Sequence, residues 1–229
     1  MMDFWINGTA ASEKGIFTED ITPPVRPSKR VNLEKVPGRS GFVTTGDESY
    51  NEYVRYATCF IEDDTRLAEV WEYLDGARNV RFSNDETQLL ECVSVDQIDP
   101  EAFTIDSCSF TVAFTCQPYR YLYPERSVNV TTSGSAVVNA GRLASEPVIR
   151  VMGTGSMQVV INGEPIDIAG GEVIIDSARM DCYDASGIIC NERVTLYSGE
   201  FPKLSPGANV ISWSGGCTGV SVQLKERDQ

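Results

Sequence analysis

The heptapeptide FTVAFTC, residues 110–116, carries the clearest β-strand pattern in the first half of the chain. Apolar side chains at Phe110, Val112, Phe114 and Cys116 alternate with small or polar ones. A period of two places every second side chain on the same face of a strand. The heptapeptide therefore predicts a strand with one face in a core, and it favours a mainly β fold.

A single helix is predicted before this strand. The β-forming segment 53–61 is followed by a change of period, with apolar residues spaced at i, i+3, i+4 and i+7. These are Leu67, Val70, Trp71 and Leu74. We expect one amphipathic helix over residues 64–75, capped by Asp63 or Asp64 and ended by a left-handed Gly76. It should lie across a sheet face and bury Trp71.

The second half of the sequence shows short apolar segments separated by turn residues. Gly153–Ser156, Asn162-Gly163 and Gly170-Gly171 each separate two such segments, which is the pattern of a β-meander that closes into a sandwich. The Gly153–Ser156 segment also resembles a phosphate-binding loop. However, a strand follows it and no Lys is present, so a hairpin turn is favoured. We expect two domains, residues 1–122 and residues 123–229.

Composition excludes several functions. The chain has no histidine, which removes imidazole catalysis and the usual zinc sites. Its net charge is −14, and residues 1–122 carry 21 acidic and 11 basic side chains. Such a surface repels a phosphate backbone, so sequence-specific nucleic-acid binding is disfavoured. The sequence predicts no catalytic residue, no cofactor site and no metal site, and the protein is expected not to be an enzyme.

The seven cysteines are interpreted as small buried hydrophobes. No segment is apolar enough to cross a bilayer, and the first residues lack the basic start of a signal peptide. We therefore expect synthesis and folding in a reducing cytosol. A disulfide between Cys182 and Cys190 is conceivable across a hairpin, but free thiols are favoured in that compartment.

Two alternatives involve sugars. Adjacent acids such as Glu19-Asp20 suggest a glycosidase, but neighbours on a strand point to opposite faces and are poorly placed to flank one bond. Aromatic side chains could instead form a platform on which a sugar stacks in a carbohydrate-binding β-sandwich module. Core filling is the favoured role for them. They are Trp5, Tyr119, Tyr121, Tyr123 and Trp213.

A proline-rich segment, residues 21–41, is predicted to form an extended arm or an edge ribbon, because proline disrupts regular strand pairing. Within it, Val36-Pro37-Gly38-Arg39 fits a type II turn. A rigid turn can hold a bidentate donor away from its own strand. Pro37, Gly38 and Arg39 are therefore candidate intersubunit residues, with an ordinary exposed turn as the alternative.

Taken together, these features resemble the distal tail protein (Dit) family of long-tailed bacteriophages and prophages. In the first half the resemblance rests on the N-terminal turn before Gly15-Ile16, Val36–Gly41, Gly46-Asp47, Tyr50 and the lone helix after Cys59–Ile61. In the second half it rests on Ser145–Ile149, the Asn-rich hairpins and Phe201–Asn209. The resemblance covers nearly the whole chain.

The resemblance implies a ring-forming N-terminal β-barrel or sandwich domain with one helix, and a C-terminal galectin-like β-sandwich. It also implies a structural virion protein that forms a hexameric hub ring at the tail tip. The expected partners are the tail tube protein and the tail-associated fibre or lysin protein, with a receptor-binding protein as a further one. DNA would pass through the lumen without specific binding. A tail tube protein remains an alternative assembly role.

Overall fold

The computed structural model describes residues 2–45, 49–96, 98, 100–103 and 107–229, and within them the protein is antiparallel β with one α-helix. The expectation of a mainly β fold is confirmed. The elements are β1 (Phe4–Ile6), β2 (Thr9–Ala10), β3 (Phe17–Ile21), β4 (Asn32–Glu34), β5 (Val43–Thr45), β6 (Tyr53–Ile61), α1 (Leu67–Asp75), β7 (Asn79–Phe82), β8 (Gln88–Val95), β9 (Pro100–Phe103), β10 (Cys108–Leu122), β11 (Ser127–Val130), β12 (Ser135–Asn139), β13 (Val148–Ile161), β14 (Glu164–Ile168), β15 (Val173–Asp176), β16 (Asp181–Tyr183), β17 (Val194–Leu196), β18 (Gly207–Gln223) and β19 (Arg227–Asp228).

The sheet of the first unit has the order β2-β1-β7-β8-β10-β6-β3. The FTVAFTC segment lies inside β10 and pairs antiparallel with β6, with Phe114 opposite Arg55. The apolar residues of the heptapeptide are fully buried, as their alternation predicts. Phe114 contacts Phe4 and Phe82 at ring-centroid distances of 5.3 and 5.6 Å. These rings form the centre of the first core.

Helix α1 forms where the apolar period changes. Val70 and Leu74 are buried in the first core, whereas Trp71 is only half-buried and packs edge to face on Phe110 at 5.5 Å. The predicted residues 64–66 form a 3-10 turn, in which the Asp63 carboxylate accepts a hydrogen bond from the Thr65 N–H at 3.0 Å. We expected a left-handed backbone at Gly76. This expectation is wrong, because Gly76 has a φ of −74°, in the right-handed helical region.

The second unit is organised around the long strands β13 and β18, which pair with each other on both sides of an irregular segment. The expected hairpin turn at Gly153–Ser156 is wrong, since this segment lies within β13 and breaks its register as a bulge. A Cβ at Gly216 of β18 would overlap the carbonyl oxygen of Thr154, so the two backbones approach more closely than a side chain allows. Glycines in strands mark such bulges as well as turns.

The bulge explains why the expected meander is only partly correct. Asn162-Gly163, with φ of 53° and 92°, joins β13 to β14 as a tight hairpin. However, β15 pairs with the other half of β13 and not with β14. One strand thus supplies both layers of a sandwich by bending at its glycines. The core between them includes Val151, Val159 and Val220.

The chain divides into two compact units, Met1–Arg120 with Gln229, and Tyr121–Asp228. This division describes where the contacts lie, whereas a domain is a part of the chain that folds by itself. The expected domains, residues 1–122 and 123–229, therefore stay a prediction. Gly46-Asp47, which contributed to the resemblance, lies outside the described residues.

Candidate assembly surface

The segment between β3 and β6, residues 22–50, forms a separate arm. In its described part, β4 and β5 make a two-stranded ribbon with Leu33 opposite Thr44. Backbone pairing continues to the base of the arm. There the Arg30 N–H donates to the Ser49 carbonyl at 2.8 Å, and Lys29 and Tyr50 form an isolated antiparallel β-bridge. The predicted extended arm or ribbon is thus present.

The arm exposes apolar side chains that a folded chain normally buries. Every residue from 28 to 42 is exposed. The large apolar side chains among them are 45–59% exposed: Val31, Leu33, Val36 and Phe42. An isolated two-stranded ribbon has no opposite layer to cover such groups and is marginally stable in water. A cluster of exposed apolar residues on such an element is typical of a contact surface.

The predicted intersubunit residues lie in the connection between β4 and β5. Val36-Pro37-Gly38-Arg39 forms the expected turn, with a Gly38 φ of 80° and a hydrogen bond of 3.2 Å from the Arg39 N–H to the Val36 carbonyl. Arg39 is exposed and has no ion pair within the part of the chain that the structure describes. The turn therefore presents a guanidinium to solvent, and its role between subunits stays a prediction.

Charge separates the arm from the rest of the first unit. Residues 22–50 carry five basic and three acidic side chains, a net charge of +2. The remaining residues of 1–122 carry 18 acidic and 6 basic side chains, a net charge of −12. Helix α1 contributes to this acidity, because Glu69, Glu72 and Asp75 point to solvent opposite its buried Val70 and Leu74. Surfaces of opposite sign on one chain favour contact between copies.

Other sequence-derived candidates do not form a site. Trp213 packs against the second core, and Trp5 lies in β1 with the Arg81 guanidinium 3.9 Å from its ring centroid. Burial raises the pKa of the Cys59 and Cys182 thiols to about 12, so both are neutral and poor nucleophiles at neutral pH. All seven cysteines are free thiols in the structure.

The described ranges lack two further kinds of functional element. They contain no group of three or more acidic or cysteine side chains placed to hold a metal ion. In the same ranges no helix combines the length and the hydropathy needed to span a membrane.

Sequence reasoning missed the basic and apolar character of the arm. The signal was available, because Lys29, Arg30, Lys35 and Arg39 fall within eleven residues of an otherwise acidic half. Averaging charge over residues 1–122 concealed this local reversal of sign. The exposure of Leu33 and Phe42 could not be read from the sequence, since a short alternating strand has the same pattern whether or not a second layer covers it.

Comparison with known proteins gives one informative result. No protein-family model matches the chain, and no curated protein matches its sequence. Among solved structures, the chain is similar to the Dit protein of phage SPP1, described as a paradigm of the hub adsorption apparatus in phages that infect Gram-positive bacteria. The similarity covers 97% of this chain and 98% of that chain, with a TM-score of 0.71 and 17% sequence identity. At this identity the likeness establishes the fold.

Proposed function

We propose that this chain is a distal tail protein that forms the hub ring at the tip of a phage tail. The observation that carries the proposal is the arm, an exposed basic ribbon with uncovered apolar side chains on an otherwise acidic unit. The likeness to SPP1 Dit over almost the full length of both chains supports the same role.

The proposed contact joins the arm of one copy to the acidic surface of the next. Covering Leu33 and Phe42 would remove apolar area from water, which is worth about 25 cal/mol per Å². The bases at Lys35 and Arg39 would face carboxylates such as those on the solvent face of α1. Opposite charges would set the orientation of the contact and speed its formation.

Such a contact generates a ring. The arm and the surface that receives it are different parts of one chain, so the interface is heterologous, and heterologous interfaces close into rings when the rotation between copies allows it. We infer six copies from the resemblance to the distal tail family. The ring would occupy the tail tip of the virion after assembly in the host cytoplasm.

The partners follow from the hub role. We propose that one face of the ring binds the last ring of the tail tube protein. The other face would bind the tail-associated fibre or lysin protein and, in some tails, a receptor-binding protein. A net charge of −12 on the part of residues 1–122 outside the arm would leave an inner wall that repels the phosphates of passing DNA. No catalytic role is part of the proposal.

The experiment compares oligomeric mass and particle shape for three versions of the full chain. Light scattering and negative-stain microscopy of the wild type should show six-membered rings. The double variant Leu33→Ser, Phe42→Ser should lose them. The control Ile188→Ser, Ile189→Ser removes equally exposed apolar side chains outside the arm and should retain the rings. A wild-type chain that stays monomeric at every soluble concentration, also with its tail partners added, would contradict the proposal.

A further inference from the structure

The outward face of the second unit carries a polar row that crosses four strands. Strand register places Ser214 of β18 opposite Gln158 of β13, and Gln158 opposite Asp167 of β14. Asp167 is in turn opposite Thr195 of β17. The side chains next to this row in sequence, such as Val159, point into the core, so the row faces solvent. Four neighbouring strands thus present a hydroxyl, an amide, a carboxylate and a second hydroxyl side by side.

A concave groove of about 350 Å³ lies over this row and is lined by all four residues. Pockets that hold small ligands start at about this volume. The Arg193 side chain forms part of the wall, because its Nε donates to the Ala169 carbonyl at 2.8 Å and a terminal nitrogen donates to the Gly170 carbonyl. The wall is therefore fixed by hydrogen bonds to the backbone of the loop that follows β14.

Asp167 is held in place and kept ionised. Its Oδ2 accepts a hydrogen bond from the Tyr197 hydroxyl at 2.6 Å, and its Oδ1 accepts one from the Gln158 side-chain amide at 2.8 Å. These two bonds lower the pKa of the Asp167 carboxyl, with the bond from Tyr197 as the main cause. Preorganised acceptors lose little conformational entropy when a ligand binds.

The row keeps free hydrogen-bonding capacity. An ionised carboxylate can accept about four hydrogen bonds, and two of the positions on Asp167 are occupied in the structure. The oxygen of the Gln158 side-chain amide and the hydroxyls of Ser214 and Thr195 add acceptors and donors. Tyr197 does not line the groove, but it is 61% exposed, and its hydroxyl donates the hydrogen bond that places its ring next to Asp167. Closely spaced acceptors and donors next to an exposed aromatic ring suit a ligand with vicinal hydroxyls on an apolar ring.

Charge narrows the class of ligand. The charged residues that line the groove are Asp167, Glu192 and Arg193, a net charge of −1. Phosphate or another anion would meet two carboxylates, and the guanidinium of Arg193 already serves the backbone. The groove is therefore matched to a neutral polyhydroxyl ligand.

We infer that this groove binds a neutral saccharide, with Asp167 and Gln158 accepting and donating hydrogen bonds to adjacent sugar hydroxyls and with Tyr197, which lies outside the groove lining, orienting the Asp167 carboxylate. The inference is independent of the proposed hub role, because it concerns one face of the second unit and not the arm. A hub that binds sugar by itself would contact a glycan-covered surface without an added adhesion protein.

Saturation-transfer NMR on the full chain tests the inference, since it observes the ligand and works for a monomer or a ring. The probes are lactose, maltose and cellobiose at roughly 10 mM, a range suited to weak binding sites. At least one should show saturation transfer with the wild type. The signal should fall at least tenfold in Asp167→Asn and should weaken in Tyr197→Phe, which keeps the ring but loses the hydroxyl.

The matched control is Glu164→Gln, which makes the same change from carboxylate to amide on the same strand, outside the groove lining. It should leave saturation transfer unchanged. Thermal melting of each variant separates lost binding from lost folding, and Tyr197→Phe provides a second variant if Asp167→Asn unfolds. Absence of transfer with all three sugars would overturn the inference. Saturation transfer that persists in both Asp167→Asn and Tyr197→Phe would also overturn the inference, whatever the outcome of the ring experiment.

Discussion

Two antiparallel strand pairs in this protein have opposite relations to solvent. In the second unit, β13 and β18 bury alternating residues such as Val151 and Val159 completely. In the arm, β4 and β5 also pair antiparallel, yet no residue from 28 to 45 is buried. Strand pairing satisfies the backbone in both cases, but only the first pair has a second layer against which to pack. The apolar side chains of the arm therefore have no cover within the described part of the chain.

The strongest test of this contrast compares two phenylalanines. Phe114→Ala should lower the free energy of unfolding by about 3–5 kcal/mol, because Phe114 is fully buried between two other rings. Phe42→Ala should change it by less than about 0.5 kcal/mol, since Phe42 is 53% exposed. Urea unfolding at a protein concentration too low for association measures both. Equal losses would show that the arm is part of a core.

A second contrast concerns two glycines outside the left-handed region. Gly216→Ala should destabilise the protein by about 1–3 kcal/mol, because a Cβ there would overlap the Thr154 carbonyl and force the β13–β18 bulge apart. Gly76→Ala, in a right-handed conformation with its nearest neighbour at 3.5 Å, should be neutral or slightly stabilising. Thermal unfolding of the two variants decides this point. A neutral Gly216→Ala would contradict the close backbone approach.

The second unit should also lose stability at acid pH through a buried carboxylate, a group that the described part of the arm lacks. Burial by itself raises the pKa of Glu226, but hydrogen bonds from Arg126 and the Ala140 N–H outweigh it, and the pKa lies below its usual value. As the pH falls, the Glu226 carboxyl is therefore protonated in the unfolded state before it is protonated in the folded state. The stabilisation is complete above a pH of about 4.3 and is lost as pH drops through the lower folded pKa.

Glu226→Gln measures this contribution. It should cost about 1.5–3 kcal/mol at pH 7, the range for hydrogen bonds to a charged group, and much less at an acid pH below the lowered folded pKa, where the wild-type carboxyl is also protonated. Glu164→Gln, an exposed carboxylate in the same unit, serves as the control and should have no effect at either pH. If the loss of stability in Glu226→Gln did not depend on pH, it would come from the changed shape of the side chain and not from its charge.

The smallest expected effect is on the charge of the arm. If its bases meet carboxylates of a second copy, association should weaken between about 0.1 and 1 M salt, as the Debye length shrinks from about 10 to 3 Å. Arg39→Ala should weaken each contact by about 0.2–1 kcal/mol and reduce the salt dependence. Arg78→Ala, an exposed base outside the arm, should change neither. Sedimentation at two ionic strengths provides the measurement.

Local periodicity predicted the elements well and their pairing poorly. The alternation at residues 110–116 and the helical spacing of Leu67 to Leu74 are properties of single elements, and both are confirmed. Glycine at 153 and 155 was ambiguous, because a turn and a bulge require the same backbone freedom. Only the approach of β18, far along the chain, decides between them.

The candidate surface was predicted in part for a related reason. Four prolines between residues 23 and 37 indicate an extended arm, and Pro37-Gly38 predicts its turn. Whether the apolar side chains of a strand are covered depends on which elements fold over it, and this is a tertiary property. The polar row beneath the groove of the second unit was missed as well, because its members come from four strands and meet only through register.

The most direct test of the central claim is cross-linking between copies of the chain. A mixture of ¹⁴N- and ¹⁵N-labelled protein, treated with a carbodiimide, joins lysine Nζ to carboxylates in direct contact. The account predicts peptides of mixed isotope that link Lys29 or Lys35 of the arm to carboxylates of the first unit, including Glu69, Glu72 or Asp75 on α1. Arm cross-links of a single isotope only, in a sample that has assembled, would contradict it.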